Sequence, residues 1–475
     1  MLIRHGMVYL VTRLGSGILN LITIVLYTNL LSTDQYGRYA LLLAAVGISN
    51  NIATGWLGEG VLRFATSHGT IATLLHTVWK LQALVLSLAS LVAVMMIVYA
   101  PTTEWKLLIG VGIGILWLQS TFDIRQFLFR ARLRPDKFLQ ANLVRSLLTP
   151  IAGVGAISLG LGAVGAAIGY LAGLLASNIL TRSKQTLDRG TDSGGGEFRA
   201  RQLWEYGVPL SINSLMLQVV HLSDRFLIAL FLGESAVGAY AAIYDLSQQT
   251  IALFLRATAN ASVPLIFKAA LENEQKRLAS YLRENLALLL TIGIAGIVLF
   301  WEVVPALVSR LIGAAYRESL PLLMPIIAAA TVAVGLRTHH FLLPLMIKEK
   351  TVLAVPASFV AMLTNVLANL WLIPRMGLLG AALATLMAYA VLLAITGLQT
   401  RRLMPTIQSP TDVASISTIG VLFAVALYVL PAENEWQSLR NGLLGGILYL
   451  TGLFALNVAG WRENLWRWIK TQHRG

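Results

Sequence analysis

The chain has 475 residues, 56% hydrophobic and only 12% charged, against about 25% charged in soluble domains. With a mean hydropathy of +0.71, that deficit excludes a large soluble domain and points to an all-α polytopic membrane protein, because a spanning helix needs about 20 mainly apolar residues. The absence of cysteine excludes disulfide frameworks and thiolate chemistry, and the net charge of +14 reads as basic loops on one side of a membrane rather than as a nucleic-acid surface.

Apolar runs bounded by charges, Gly and Pro predict about fourteen transmembrane helices. The first, 8–31, begins in "MLIRHGMVYLVTRLGSG", which lacks a small-residue cleavage site after a short apolar region and is read as a retained span. Five more are expected at 37–58, 78–100, 105–128, 138–159 and 163–182. The polar, Gly-rich stretch "RSKQTLDRGTDSGGGEFRARQ" then reads as a flexible cytoplasmic linker. Spans at 204–232, 236–264, 284–305, 318–346, 351–373 and 377–398 follow, and two more lie at 411–431 and 440–460. The expected organisation is a six-helix bundle over 1–182, a linker over 183–203, a second six-helix bundle over 204–400, and two extra helices with a basic tail over 401–475.

Charge placement gives the sidedness. Arg38, Lys106, Arg310, Arg317, Arg375 and Arg440 fall at predicted external ends, and Arg13, Lys80, Arg145, Arg225, Arg256 and Arg337 fall within spans. The other 24 of the 36 Lys and Arg lie at predicted cytoplasmic ends and loops, so both termini are expected in the cytoplasm. The tail "WRENLWRWIKTQHRG" mixes Trp with Arg and Lys, as an interfacial cytoplasmic segment does.

Two pairs of stretches repeat. "LLSTDQYGRYALLL" joins spans one and two, and "FLGESAVGAYAAIY" joins spans seven and eight. "GLGAVGAAIGYLAG" opens span six, and "RMGLLGAALATLMA" opens span twelve. Six helices repeated in one orientation imply two bundles about an axis along the membrane normal.

The stretches "RLGSGILNLITIVLYTNLLSTDQYGRYAL", "EGVLRF", "DRFLIALFLGESAVGAYAAIY" and "NVLANLWLIPRMGLLGAALATLMAY" together carry a family resemblance. The sequence resembles the polysaccharide transporters, O-antigen flippases included, of the multidrug/oligosaccharidyl-lipid/polysaccharide exporter superfamily. The resemblance implies a multi-pass protein of the bacterial inner membrane. It would move undecaprenyl-diphosphate-linked oligosaccharide (an O-antigen, capsule or exopolysaccharide repeat unit) to the periplasmic leaflet by alternating access. No enzyme activity and no cofactor are implied; the partners would be the lipid-linked oligosaccharide, membrane lipids and the polysaccharide polymerase machinery.

Such a substrate needs a polar cavity for its diphosphate and glycan, and arginine suits the diphosphate. Arg13, Arg145, Arg256 and Arg337 fall in the cytoplasmic third of their spans and Arg225 lies deeper. For Arg13 and Arg145 the other reading is snorkelling to headgroups. Arg225, Arg256 and Arg337 are expected to face a cavity, since a mid-bilayer arginine costs about 2.5–3.5 kcal/mol on insertion scales. Asp224 and Asp245 read either as counter-ions that diphosphate displaces or as permanent salt bridges. His339, His340 and His221 could couple transport to protons, against a plain hydrogen-bonded or interfacial role. Asn20, Asn50, Asn51, Asn213, Asn365 and Asn369 offer hydrogen bonds to sugar or between helices, the latter favoured for Asn365 and Asn369. Gly165, Gly169 and Gly173 read as a packing ridge, and Pro209 and Pro264 as kinks.

Other functions are weighed on the same residues. A lipid II flippase of the same superfamily shares the fourteen-helix plan. A multidrug antiporter would need acids for cationic drugs, yet in-span arginines outnumber Asp224 and Asp245. A membrane polymerase or ligase needs a large external loop, and the longest external segment lies near 309–320. No GxxxxGK[ST] loop or HExxH spacing occurs.

Overall fold

A computed structural model describes residues 2–65, 71–182, 200–404, 410–430, 432 and 434–463, without the side chains of 2–11, 13 and 14. Residues 183–199 of the expected linker and 464–475 of the basic tail lie outside the described residues. All regular structure among the described residues is helical.

The chain divides into two compact units, Met1–Ala242 and Ile243–Gly475. The first contains α1 (Leu2–Leu30), α2 (Thr33–Asn50), α3 (Trp56–Phe64), α4 (Ile71–Tyr99), α5 (Thr103–Ala131), α6 (Pro135–Ala156), α7 (Gly162–Leu180) and α8 (Ala200–Leu232). It also takes the first turns of α9 (Glu234–Leu271). The second holds the rest of α9, then α10 (Gln275–Glu302), α11 (Val304–Leu311), α12 (Leu320–Leu336), α13 (Leu343–Ile347) and α14 (Ala354–Met376). It ends with α15 (Leu378–Leu403), α16 (Pro410–Val429) and α17 (Glu435–Ala455).

Eleven helices among the described residues are long and apolar enough to cross a membrane. The predicted fifth and sixth spans are counted there as one stretch, Pro135–Leu180. Gly160 (φ 84°) and Gly162 (φ 49°) divide that stretch, since only glycine takes such angles without strain. The predicted first and fourteenth spans fall on α1 and α17, which are not among the eleven. Large apolar side chains such as Leu91, Met95, Val98, Val421, Val425, Leu443 and Ile447 are exposed. An outward apolar surface of this kind suits lipid contact and would be a liability in water.

Glycine sets how closely the helices approach. On α7 a Cβ at Gly169 would strike Gly153 and the Thr149 carbonyl of α6, and one at Gly173 would strike Arg145 and Thr149. The predicted glycine ridge is therefore a packing seam between α6 and α7. Tyr27 of α1 packs against the same stretch of α6, its hydroxyl donating to Thr149 O at 3.0 Å.

Both repeated pairs are visible as geometry. Gly162, the first residue of α7, has φ 49° and ψ −129°, and Gly377, just before α15, has φ 59° and ψ −137°. Three residues on, Gly165 and Gly380 each bring the helix start against the backbone of the preceding helix end, at Ala156–Ile157 and Leu372–Ile373. The same turn chemistry thus builds two equivalent hairpins. Ser32 opens α2 with a capping box, accepting from the Gln35 N–H at 3.2 Å while its own N–H donates to Gln35 Oε1 at 3.3 Å.

Among the described residues, two π-helical turns interrupt long helices, Asn51–Gly55 between α2 and α3 and Arg337–Phe341 after α12, while Ile157–Leu161 between α6 and α7 is broken by the non-helical Gly160. Such turns are rare and gather at functional sites. Pro209 and Pro264 lie inside α8 and α9.

Candidate functional site

The first unit holds a partly open cavity of about 290 Å³ walled by α2, the Asn51–Gly55 turn, α3, α5, α7 and α8. Its polar heart is Asp123. On α5, Gln119 and Asp123 are four residues apart and so share a face. Gln119 Nε2 donates to Asp123 Oδ1 at 2.8 Å, and Asn50 Nδ2 of α2 donates to Asp123 Oδ2 at 2.8 Å. Tyr170 of α7 extends the chain, its hydroxyl donating to Gln119 Oε1 at 2.8 Å. The Arg145 guanidinium stands 4.7 Å from the Phe122 ring and is an electrostatic neighbour of both Asp123 and Tyr170.

The Asn50–Asn51 pair shows how local geometry distributes the contacts. Adjacent helical residues diverge by about 100°, so Asn50 turns to α5 while Asn51 turns to α8. Asn51 Nδ2 donates to Gln218 Oε1 at 2.6 Å and to Ser214 Oγ at 3.3 Å. Its own Oδ1 is buried with no hydrogen-bond partner among the described residues. Behind Asn50, Thr54 Oγ1 donates to Asn50 Oδ1 at 3.0 Å, Ser120 Oγ to Thr54 Oγ1 at 3.0 Å, and Gln82 Nε2 to Ser120 Oγ at 2.9 Å. This buried relay fixes the rotamers at the cavity wall. Glu59, Ser211, Ser214 and Gln218 complete the polar lining, and Leu43, Val46, Ile124 and Phe127 supply the apolar part. Arg130 is the charge neighbour of Glu59. The wall offers carboxylate acceptors, amides and hydroxyls together.

Among the residues expected to bind substrate, Asn50 and Asn51 line this cavity and the arginines with described side chains do not. None of Asn20, Arg145, Asp224 and Arg225 lines this cavity. The Arg13 side chain is outside the described residues, and Asn20 lies on α1. Asp224 and Arg225 are fully buried in α8, where Asp224 Oδ1 accepts the Arg225 backbone N–H at 2.8 Å. Of the other histidine and asparagine candidates in this unit, His221 and Asn213 lie on α8, while Asn50 and Asn51 are the two that reach the cavity wall.

The remaining candidates belong to the second unit. Arg256 Nε donates to Ala252 O at 3.0 Å within α9, which also carries Asp245. Arg337 begins the Arg337–Phe341 turn and is 2% exposed; its Nε and Nη2 have no hydrogen-bond partner among the described residues. On the same turn, His339 O accepts from Asn285 Nδ2 at 3.0 Å, and His340 Nδ1 lies 3.2 Å from that same nitrogen. Asn369 Nδ2 donates to Asn365 Oδ1 at 3.2 Å, both residues buried on α14.

Asp123, Glu59, Gln119, Tyr170 and Gln218 were not singled out by the sequence reading. The signal for them was the Gln119–Asp123 spacing, which puts an amide and a carboxylate on one face of an otherwise apolar span.

Residues 26–321, more than half of the chain, match the family described as polysaccharide biosynthesis protein. The chain belongs to that family. A curated relative, "Probable low-salt glycan biosynthesis flippase Agl15" of Haloferax volcanii, is 25% identical over 281 residues. That match covers 58% of this chain and 57% of the relative, so the chain spans little more than half of the relative's length. Among solved structures, "Lipid II flippase MurJ, inward closed conformation" superposes with a TM-score of 0.74 at 14% identity, over 94% of this chain and 98% of that one. A "multidrug resistance MATE family transporter of the MOP superfamily" in an inward-facing conformation gives 0.60 at 12% identity, over 84% and 98%. At these identities the structures establish the shared fold: an all-helical polytopic membrane protein of this type.

Proposed function

We propose that the protein is a flippase that carries a polyprenyl-diphosphate-linked oligosaccharide across a membrane by alternating access. The observation that carries the proposal is the Asp123-centred cavity. A bundle with an apolar exterior has assembled amides, carboxylates and hydroxyls around a void, at the cost of burying polar groups among lipid-facing helices. A glycan head passing through the bilayer needs such hydrogen-bonding partners, while its polyprenyl tail stays in lipid. Family membership, and relatives whose names describe a glycan biosynthesis flippase and a lipid II flippase, support the same reading.

The finer reading follows from the sequence. The cargo is an O-antigen, capsule or exopolysaccharide repeat unit; the membrane is the bacterial inner membrane, with both termini cytoplasmic. The substrate is moved without bond making or breaking, and a polymerase takes it up afterwards. Arg13, Arg145, Arg225, Arg256 and Arg337 are the candidates for the diphosphate, with Asn20 as a further substrate-binding residue and Asp224, Asp245 and His339 as counter-ion or coupling groups.

A second reading is favoured by one observation. Asp123 and Glu59 line the cavity without a lining arginine or lysine, which suits a cationic drug in a multidrug antiporter better than the in-span arginines suggested. Proteoliposomes separate the two. The flippase reading expects a fluorescent lipid-diphosphate oligosaccharide to change leaflets while a cationic dye does not accumulate. Dye transport without lipid movement would overturn it.

A further inference from the structure

We infer that the Asp123 cavity is a sugar subsite and not a phosphate subsite, and that the sugar it takes is uncharged or amine-bearing; uronate, sulfated and phosphorylated sugars are refused there. This rests on the flippase reading above and specifies its substrate. The argument is the charge of the wall. No Lys or Arg lines the cavity, whereas Asp123 and Glu59 do. The guanidiniums associated with those acids, Arg145 and Arg130, are not among the lining residues, and each stacks on a phenylalanine, Phe122 and Phe127.

An anionic group entering this void would lose hydration and meet only guanidiniums that are already engaged off the wall, Arg145 with Asp123 and Tyr170 and Arg130 with Glu59. It would also face the carboxyl groups of Asp123 and Glu59 where it needs a counter-charge. Sugar hydroxyls, amides and ammonium groups have the opposite fit. They donate to the carboxyl oxygens of Asp123 and Glu59, and they accept from amide and hydroxyl donors around them. The diphosphate of the same substrate must therefore seat outside this wall.

The test uses full-length protein in proteoliposomes and two synthetic lipid-diphosphate disaccharides. They are identical except that one sugar carries a C6 hydroxymethyl group in the first and a C6 carboxylate in the second. Translocation of the neutral compound is expected to be at least about tenfold faster. Ser211→Lys, which puts a cation on the wall, should narrow that ratio, and thermal unfolding of the variant should show that it is folded. Equal or faster movement of the carboxylate compound by the unaltered protein would overturn this inference while leaving the flippase reading in place. Movement of neither compound would overturn that reading and this inference with it.

Discussion

Gly37 and Gly238 pack against each other as a reciprocal pair. A Cβ on Gly37 would fall 3.0 Å from the Gly238 nitrogen and against the Glu234 carbonyl; one on Gly238 would fall 3.0 Å from the Gly37 nitrogen and against the Thr33 carbonyl. Thr33 and Glu234 are the first residues of α2 and α9, so two repeated segments meet through equivalent positions. Tyr39 and Tyr240, two residues further on in each copy, are both buried. The contact explains why glycine stands at the matching place in "TDQYGRY" and "ESAVGAY". Gly238→Val should destabilise the protein by about 1–3 kcal/mol through overpacking against backbone. Thermal unfolding in detergent will show a lower midpoint; an unchanged one contradicts the packing account.

Beside that pair, Arg38 joins three carboxylates: Asp34 at 2.5 Å, Glu234 at 2.5 Å, and Glu104. Trp105 Nε1 also donates to Glu234 at 2.7 Å. The groups are 21–44% exposed, so solvent screens them and the pairwise coupling is modest. A double-mutant cycle with Arg38→Gln and Glu234→Gln is expected to give about 1 kcal/mol of coupling, shrinking at high salt. Coupling indistinguishable from zero at low salt would show that the cluster contributes nothing.

The two hairpin turns give a matched prediction. Gly162→Ala and Gly377→Ala each place a Cβ at positive φ and should cost upwards of about 1 kcal/mol apiece. Gly155→Ala, where a Cβ meets nothing within 4 Å on α6, should be neutral or stabilising. Equal effects at all three positions would remove the conformational argument.

Within the site, Asp123→Ala leaves the donors of Asn50 and Gln119 without their acceptor. Leaving a buried donor without its acceptor costs about 1–3 kcal/mol. Translocation should therefore fall at least tenfold, and Asn50→Ala should fall in the same direction by less. Full transport by Asp123→Ala would remove that residue from the site.

The fold was legible in the sequence because spanning helices announce themselves as long apolar runs, and because two glycine-bearing stretches repeat. The Gly165–Gly169–Gly173 ridge was read correctly as packing. The residue-level site was less legible. Arginines drew attention because a diphosphate needs cations, yet Asp224 and Arg225 are buried within α8, and Arg145 is a charge neighbour of Asp123 that is not among the residues lining the cavity. Asn50 and Asn51 were visible as polar residues in a span, but their division between α5 and α8 depends on which helices pack beside them. Glu59 sits in the quoted "EGVLRF", where the sequence alone gives no sign that it faces a void. The count of spans differs in three places: spans five and six run together as one apolar stretch divided only at Gly160 and Gly162, and α1 and α17 are not among the eleven helices long and apolar enough to cross.

The central claim is that the glycan occupies the Asp123 cavity, and the chain's lack of cysteine provides a clean way to examine it. Ser214→Cys places a single thiol on the wall, next to Asn51. Its labelling by a membrane-impermeant thiol reagent should slow when a lipid-diphosphate oligosaccharide is added and stay unchanged with the same lipid diphosphate lacking sugar. Labelling that the oligosaccharide leaves untouched, in protein shown to bind it, would contradict the account.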